Sequence, residues 1–211
     1  LDRMDLPAGM DYIGESAFSG TNNMKVYFAG AELPANVQFG WDIGISGYFL
    51  DAVDYIITDE WEYAVSASGT ISLADYKGDA AELTIDTVDG YIVAKIGVRC
   101  FAGNDTLTSI SLSDHITEIG NYAFYDCNGL NSVTIPNAVT KIGRCAFADS
   151  SAVVSFADNS ELRSIDDYAF AENATTEMDI PDSVTEIGDG AFLNSELSVL
   201  TISDSCCLES I

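Results

Sequence analysis

SVTIPNAVTKIGRCAF (residues 132–147) is the stretch whose reading decides the fold. It opens on an alternating strand-type run, Ser132 to Ile135, stops at Pro136 and closes on Ile-Gly-x-x-Ala-Phe. Proline fixes φ and has no N–H to donate, so it ends the strand. The closing phrase returns as IGESAF (13–18), IGVRCF (96–101), IGNYAF (119–124), IDDYAF (165–170) and IGDGAF (187–192). Its last five copies end on Phe101, Phe124, Phe147, Phe170 and Phe192, at steps of 23, 23, 23 and 22 residues. A unit of about 23 residues cannot bury its own apolar face, so this register predicts stacked coils that share one continuous core.

Each unit reads in three parts. A short strand comes first: Ile110 to Leu112, Val133 to Ile135, Val154 to Phe156, Met178 to Ile180 and Leu200 to Ile202. Alternation puts its apolar residues on one face and Ser, Thr or Asp on the other. A turn follows, with proline at Pro7, Pro136 and Pro181. In the closing phrase the glycine is expected either to take up a backbone conformation closed to other residues or to permit a close approach. Asp166 replaces it in one copy, and Asp tolerates the left-handed region better than most residues. Alanine then allows close packing and Phe fills the interior. Three residues after each Phe stand Thr21, Asn104, Cys127, Ser150, Asn173 and Ser195. Small hydrogen-bonding side chains at every corner are expected to satisfy the turn amides.

LNSVTIPNAVTKIGRCAF (130–147) and MDIPDSVTEIGDGAF (178–192) resemble the BspA-like leucine-rich repeats of bacterial and protozoan surface proteins. The resemblance covers residues 81–211 and one unit in residues 1–28. It implies a leucine-rich-repeat solenoid, mostly β with short turns and helical bits, with strands on the concave side. It also implies adhesion and host or matrix binding rather than catalysis, at the cell surface or in secreted form.

Phe18 and Phe101 stand 83 residues apart, too far for one repeat. Between them WEYAVSASGTISL (61–73) alternates Trp61, Tyr63 and Val65, turns near Gly69, and resumes with Ile71 and Leu73. That pattern predicts a β-hairpin, suited to capping an exposed solenoid end or to spacing two repeat blocks. The expected organisation is a partial repeat block in 1–35, a linker and hairpin cap or spacer in 36–80, and a solenoid of about five repeats in 81–211. Residues 29–54 show no clear period. A chain that starts at Leu1 and stops at Ile211 reads as an excised or processed piece.

The chain carries 34 acidic residues against 8 basic ones, a net charge of −26. The acids are scattered, which reads as a solvated surface. Phosphate backbones need clustered Lys and Arg, so nucleic acid is excluded as an expected partner. No signal peptide and no run of about 18 apolar residues is present, so no membrane insertion by this segment is expected. The single histidine, His115, sits at a turn, and there is no CxxC pair, no G-x-S-x-G and no Gly-rich phosphate loop. Neither a metal site, a cofactor nor a catalytic centre is expected from these residues. Asn104-Asp-Thr106 and Asn173-Ala-Thr175 match the glycosylation pattern, but both asparagines belong to the corner column, which favours a structural role.

Five cysteines are present, and Cys100, Cys127 and Cys145 occupy different phases of the repeat. Neighbouring coils bring Cα atoms within disulfide range only when residues share a column, so these three are expected to be reduced.

Alternation turns Ser109, Ser111, Ser132, Thr134, Ser155, Glu177, Asp179 and Thr201 outward. Repeat solenoids present such residues as an extended binding surface, so these eight are the expected ligand-binding set, for a host or matrix protein or a glycan. They include no aromatic or arginine, the residues that dominate interface hot spots. Two functions therefore remain open: a recognition or adhesion module, and a structural spacer or accessory domain without a ligand of its own.

Overall fold

The repeat register becomes ladders of parallel strands in the computed structural model, which describes residues 3–7, 10, 12–14, 17–19, 21, 24–28, 36–37, 45–50 and 52–210. The chain begins with β1 (Arg3–Leu6), β2 (Tyr12–Ile13), β3 (Met24–Phe28), β4 (Asn36–Val37) and β5 (Ile45–Leu50). β1, β3 and β5 form one parallel sheet, and β2 pairs with β4, Ile13 opposite Val37. Residues without a visible period thus carry coil strands. Ile13, Phe18, Met24 and Val26 are buried between them, with Met4, Leu6 and Met10 packed alongside.

The interruption is an antiparallel meander of β6 (Ala52–Ile57), β7 (Trp61–Ser66) and β8 (Ile71–Tyr76). The expected hairpin is β7–β8, with Gly69 at φ +81° in its turn. Trp61, Tyr63, Val65, Ile71 and Leu73 point into the core, together with Tyr76. Trp61 lies edge-on to Phe101 with ring centroids 6.1 Å apart, and Tyr76 lies 5.6 Å from the same ring. The meander therefore covers the first phenylalanine of the stack and protects the apolar end that a solenoid otherwise exposes.

β9 (Glu82–Ile85), β10 (Thr87–Val88) and β11 (Tyr91–Ile96) follow. The four extra residues of this unit form the tight β10–β11 hairpin, turning at Asp89 and Gly90, both at positive φ. Asp-Gly is the preferred pair for a two-residue turn of that hand. β11 pairs in parallel with β8 on one side, so the meander and the repeats share one sheet.

The remaining coils alternate a four-residue with a two-residue strand: β12 (Ser109–Leu112), β13 (Glu118–Ile119), β14 (Ser132–Ile135), β15 (Lys141–Ile142), β16 (Val153–Phe156), β17 (Ser164–Ile165), β18 (Glu177–Ile180), β19 (Glu186–Ile187) and β20 (Val199–Ile202). The short strands continue β11 as one parallel ladder that aligns Ile96, Ile119, Ile142, Ile165 and Ile187. The long strands pair as β9–β12, β14–β16 and β18–β20. β14 and β18 stop immediately before Pro136 and Pro181. Turns stand where short helical pieces were expected: the described residues include no helix.

Between the two ladders runs a column of rings. Phe101, Phe124, Phe147, Phe170 and Phe192 stack with centroids 5.1, 5.0, 5.6 and 5.7 Å apart and planes within 7°. The first four are buried; Phe192 is half-buried at the far end.

The glycine of the phrase permits a close approach. A Cβ on Gly97 would stand 2.1 Å from the Leu73 carbonyl oxygen, and one on Gly143 would stand 2.7 Å from the Asn121 nitrogen. The left-handed residues lie two positions further on, at Arg99, Tyr122, Cys145, Tyr168 and Gly190, with φ between 52° and 62°. Asp166 is not among the left-handed residues, so αL tolerance does not explain it. Its amide donates to the Ile142 carbonyl, as Gly143 donates to Ile119, and its carboxylate pairs with Lys141 at 2.8 Å.

The corner column does what its composition implies. Asn104 Oδ1 accepts from the amides of Thr106 and Leu107. Ser150 Oγ donates to the Cys127 carbonyl, and Cys127 Sγ donates to that of Phe101 at 2.9 Å. Thr21 and Ser195 hydroxyls donate to Phe18 and Phe192 carbonyls.

None of the five cysteines forms a disulfide. Burial pushes the Cys127 thiol up to about 12 and the Cys100 thiol well above its ordinary value. Since the thiolate is the nucleophile, native protein at pH 7.5 is expected to alkylate at exposed Cys207 while Cys100 and Cys127 stay unmodified. Mass mapping after brief iodoacetamide treatment checks this. Reductant is expected to leave Tm unchanged.

On the meander's outer side Glu62 gathers Lys25, Lys77 and Tyr55: Lys25 Nζ pairs with it, Lys77 Nζ stands at 2.9 Å, and Tyr55 donates at 2.6 Å. Burial alone raises this carboxyl, but the three donors outweigh it and hold it at about 2. A depressed carboxyl stabilises the fold above its unfolded value of 4.5 and loses that contribution as pH falls towards 2. Glu62→Gln is therefore expected to lower Tm at pH 7, with the gap to wild type closing between pH 4.5 and about 2. Thermal melts of both proteins across that range check it.

Candidate binding face

In the four-residue strands β12, β14, β16 and β18, alternate side chains face the core. In β14, Val133 and Ile135 enter the core while Ser132 and Thr134 are exposed; β18 repeats this with Met178 and Ile180 inside and Glu177 and Asp179 outside. All eight expected residues, Ser109, Ser111, Ser132, Thr134, Ser155, Glu177, Asp179 and Thr201, are exposed on this one side.

Repeat phase sets them in two rows, and strand register aligns each row within three strand pairs. One row contains Glu82–Ser109, Ser132–Val153 and Glu177–Val199; the other contains Thr84–Ser111, Thr134–Ser155 and Asp179–Thr201. Thr134 and Ser155 hydroxyls lie 3.2 Å apart and share a hydrogen bond. Between β16 and β18 the Thr175 hydroxyl accepts from the Val154 amide at 2.9 Å, inserting a buried side chain where a backbone bond would otherwise run.

Four row members were not in the expected set. Glu82 and Thr84 belong to β9, and aligning ELTI (82–85) with SISL (109–112) would have found them. Val153 and Val199 are each 48% exposed, large apolar side chains in an otherwise small and polar row. They stand where Ser109 and Ser132 stand in their coils, so the repeat phase was again the available signal.

Neither row contains a cation. Lys25 and Lys77 pair with Glu62, Lys95 with Glu118 at 2.7 Å, and Lys141 with Asp166. The face itself is neutral to acidic through Glu82, Glu177 and Asp179. His115 is exposed at its turn, 3.9 Å from Asp86. Among the described residues no group of three or more His, Cys, Asp or Glu side chains is placed to hold a metal ion, and no helix is long and apolar enough to cross a membrane.

Solved structures with TM-scores above 0.5 show the same fold. A leucine-rich repeat protein from T. pallidum matches with a TM-score of 0.61 and 23% identity over 70% of this chain and 71% of its own. One from Bacteroides ovatus matches with a TM-score of 0.58 and 28% identity over 74% of this chain and 41% of its own. A leucine rich cell surface protein from Faecalibacterium prausnitzii is 25% identical over 71% of this chain and 55% of its own, with a TM-score of 0.45. The chain thus spans about half, or less, of two of these three proteins. No curated protein sequence matches it. The pattern of the BspA type leucine rich repeat region matches residues 94–208 in six copies, the span that holds the Phe stack and strands β12 to β20. The chain belongs to the BspA type leucine-rich-repeat family.

Proposed function

We propose that this chain is a non-catalytic recognition or adhesion module, displayed at the cell surface or secreted, that binds a host or matrix protein or a glycan through its outward strand rows. The observation that carries the reading is the pair of rows. Twelve exposed side chains occupy the same two repeat phases on six strands, in register within the parallel pairs β9–β12, β14–β16 and β18–β20. A rigid, extended face with no ordering cost is what repeat proteins use for binding. The absence of a cation from the rows favours a neutral or basic partner.

A spacer reading draws on the small size of the same side chains, since hot spots favour Trp, Tyr and Arg. Arrays of matrix proteins and glycans separate the two. Wild type is expected to bind at least one probe, and Ser111→Tyr with Thr134→Tyr is expected to weaken that binding about tenfold at unchanged Tm, a change of about 1.4 kcal/mol. No binding to any probe would favour the spacer. Binding unaffected by the double variant would move the site off this face.

A further inference from the structure

The corner side of the solenoid carries a notch that the strand rows do not share. The positions directly after Phe101, Phe124, Phe147, Phe170 and Phe192 are Ala102, Tyr125, Ala148, Ala171 and Leu193. Small Ala171 stands between the larger Tyr125 and Leu193, and an open cavity of about 280 Å³ is lined by all three. Tyr125 and Tyr168 wall it with half-buried rings, and Leu193, 50% exposed, closes its far end. Cys145 lines it where the flanking coils carry Tyr122 and Tyr168, so a second ring is missing from the floor.

Two carboxylates complete the lining, Asp149 and Glu172. Both residues are left-handed, at φ 57° and 55°, and their amides donate to the Ala171 and Leu193 carbonyls of the next coil. Their backbone is therefore pinned. The Tyr125 hydroxyl donates to Asp149 Oδ2 at 3.3 Å. No lysine or arginine lines the cavity.

We propose that this notch is a docking site for a lysine or arginine side chain of a partner protein. Aromatic faces attract a cation through their ring quadrupole, and the two carboxylates beside them supply the opposite charge. A chain of net charge −26 also draws basic partners to its surface. The notch lies away from the strand rows, so it stands or fails independently of the reading above.

The test uses the full chain and three capped tripeptides, Gly-Lys-Gly, Gly-Arg-Gly and the uncharged Gly-norleucine-Gly, titrated while tyrosine side-chain NMR signals are followed. The lysine and arginine peptides are expected to shift Tyr125 and Tyr168, and norleucine is expected to leave them unmoved. Asp149→Asn with Glu172→Gln is expected to weaken binding about tenfold. The control Asp158→Asn with Glu161→Gln removes the same charge from exposed positions outside both the notch and the strand rows and is expected to change nothing. Equal loss in both double variants would reveal diffuse attraction and overturn the proposal. So would norleucine binding as well as lysine, or no shift for either basic peptide at millimolar concentration. Tyrosine shifts produced instead by neutral monosaccharides, and insensitive to Asp149→Asn with Glu172→Gln, would assign the notch to a sugar and equally overturn it.

Discussion

Phe147→Ala is expected to destabilise the protein by about 3–5 kcal/mol, the range for removing a buried ring. The Phe147 ring is fully buried and stacks on Phe124 at 5.0 Å and Phe170 at 5.6 Å. The substitution thus opens a cavity and breaks two ring pairs, each worth about 0.5–1.5 kcal/mol beyond burial. The coil cannot collapse into the gap, because its backbone is bonded to both neighbours. Phe147 N donates to Ala169 O, and Ala146 O accepts from Phe124 N. Phe192→Ala removes a half-buried ring with one stacking partner, and its effect is expected to be less than half as large. Urea denaturation of both variants checks the order. A loss below about 1 kcal/mol at Phe147 would contradict a continuous ring column.

Asn173→Ala is expected to cost about 3–4 kcal/mol without removing any apolar contact. Asn173 is fully buried. Its Nδ2 lies within hydrogen-bonding distance of the carbonyls of Phe147, Ser150 and Ala152 at 3.2, 2.9 and 3.1 Å, and its Oδ1 accepts from the Thr175 amide at 3.0 Å. Alanine removes the side-chain partner of the Thr175 amide and the Phe147 carbonyl, while the Ser150 carbonyl keeps the Ala174 amide and the Ala152 carbonyl keeps the Thr175 hydroxyl; each unsatisfied buried group costs about 1–3 kcal/mol before relaxation. Ser150→Ala, which removes one bond to the Cys127 carbonyl and one from the Ala152 amide, is expected to cost about 1–2 kcal/mol. Equal melting temperatures for the two variants would show that the corner column does not bond as described. The same burial closes Asn173 to any glycosylating enzyme in the folded protein.

Much of this architecture is readable in one dimension because a solenoid is nearly one-dimensional. Each coil contacts only its neighbours, so a residue's phase within the repeat specifies its environment. That is why the register of Phe101 to Phe192 identified the ring column, and alternation in SVTI and EMDI identified the outward residues. The same reasoning placed Trp61, Tyr63 and Val65 inside the hairpin, and Asn104 and Asn173 at the corners. Tertiary structure decided whatever depends on two coils meeting. Val37 lies opposite Ile13 without any Ile-Gly-x-x-Ala-Phe phrase around it, since backbone pairing needs a strand and not a particular side chain. Gly143 is confined by Asn121 of the preceding coil, a contact that its own flanking residues do not reveal. Left-handed backbone falls on Tyr122, Cys145 and Tyr168 rather than on glycine, because inter-coil bonds such as Tyr122 N to Arg144 O hold the turn in that shape. The notch lined by Tyr125, Ala171 and Leu193 joins residues far apart in the chain; composition and periodicity record each of them, and only stacking brings them together.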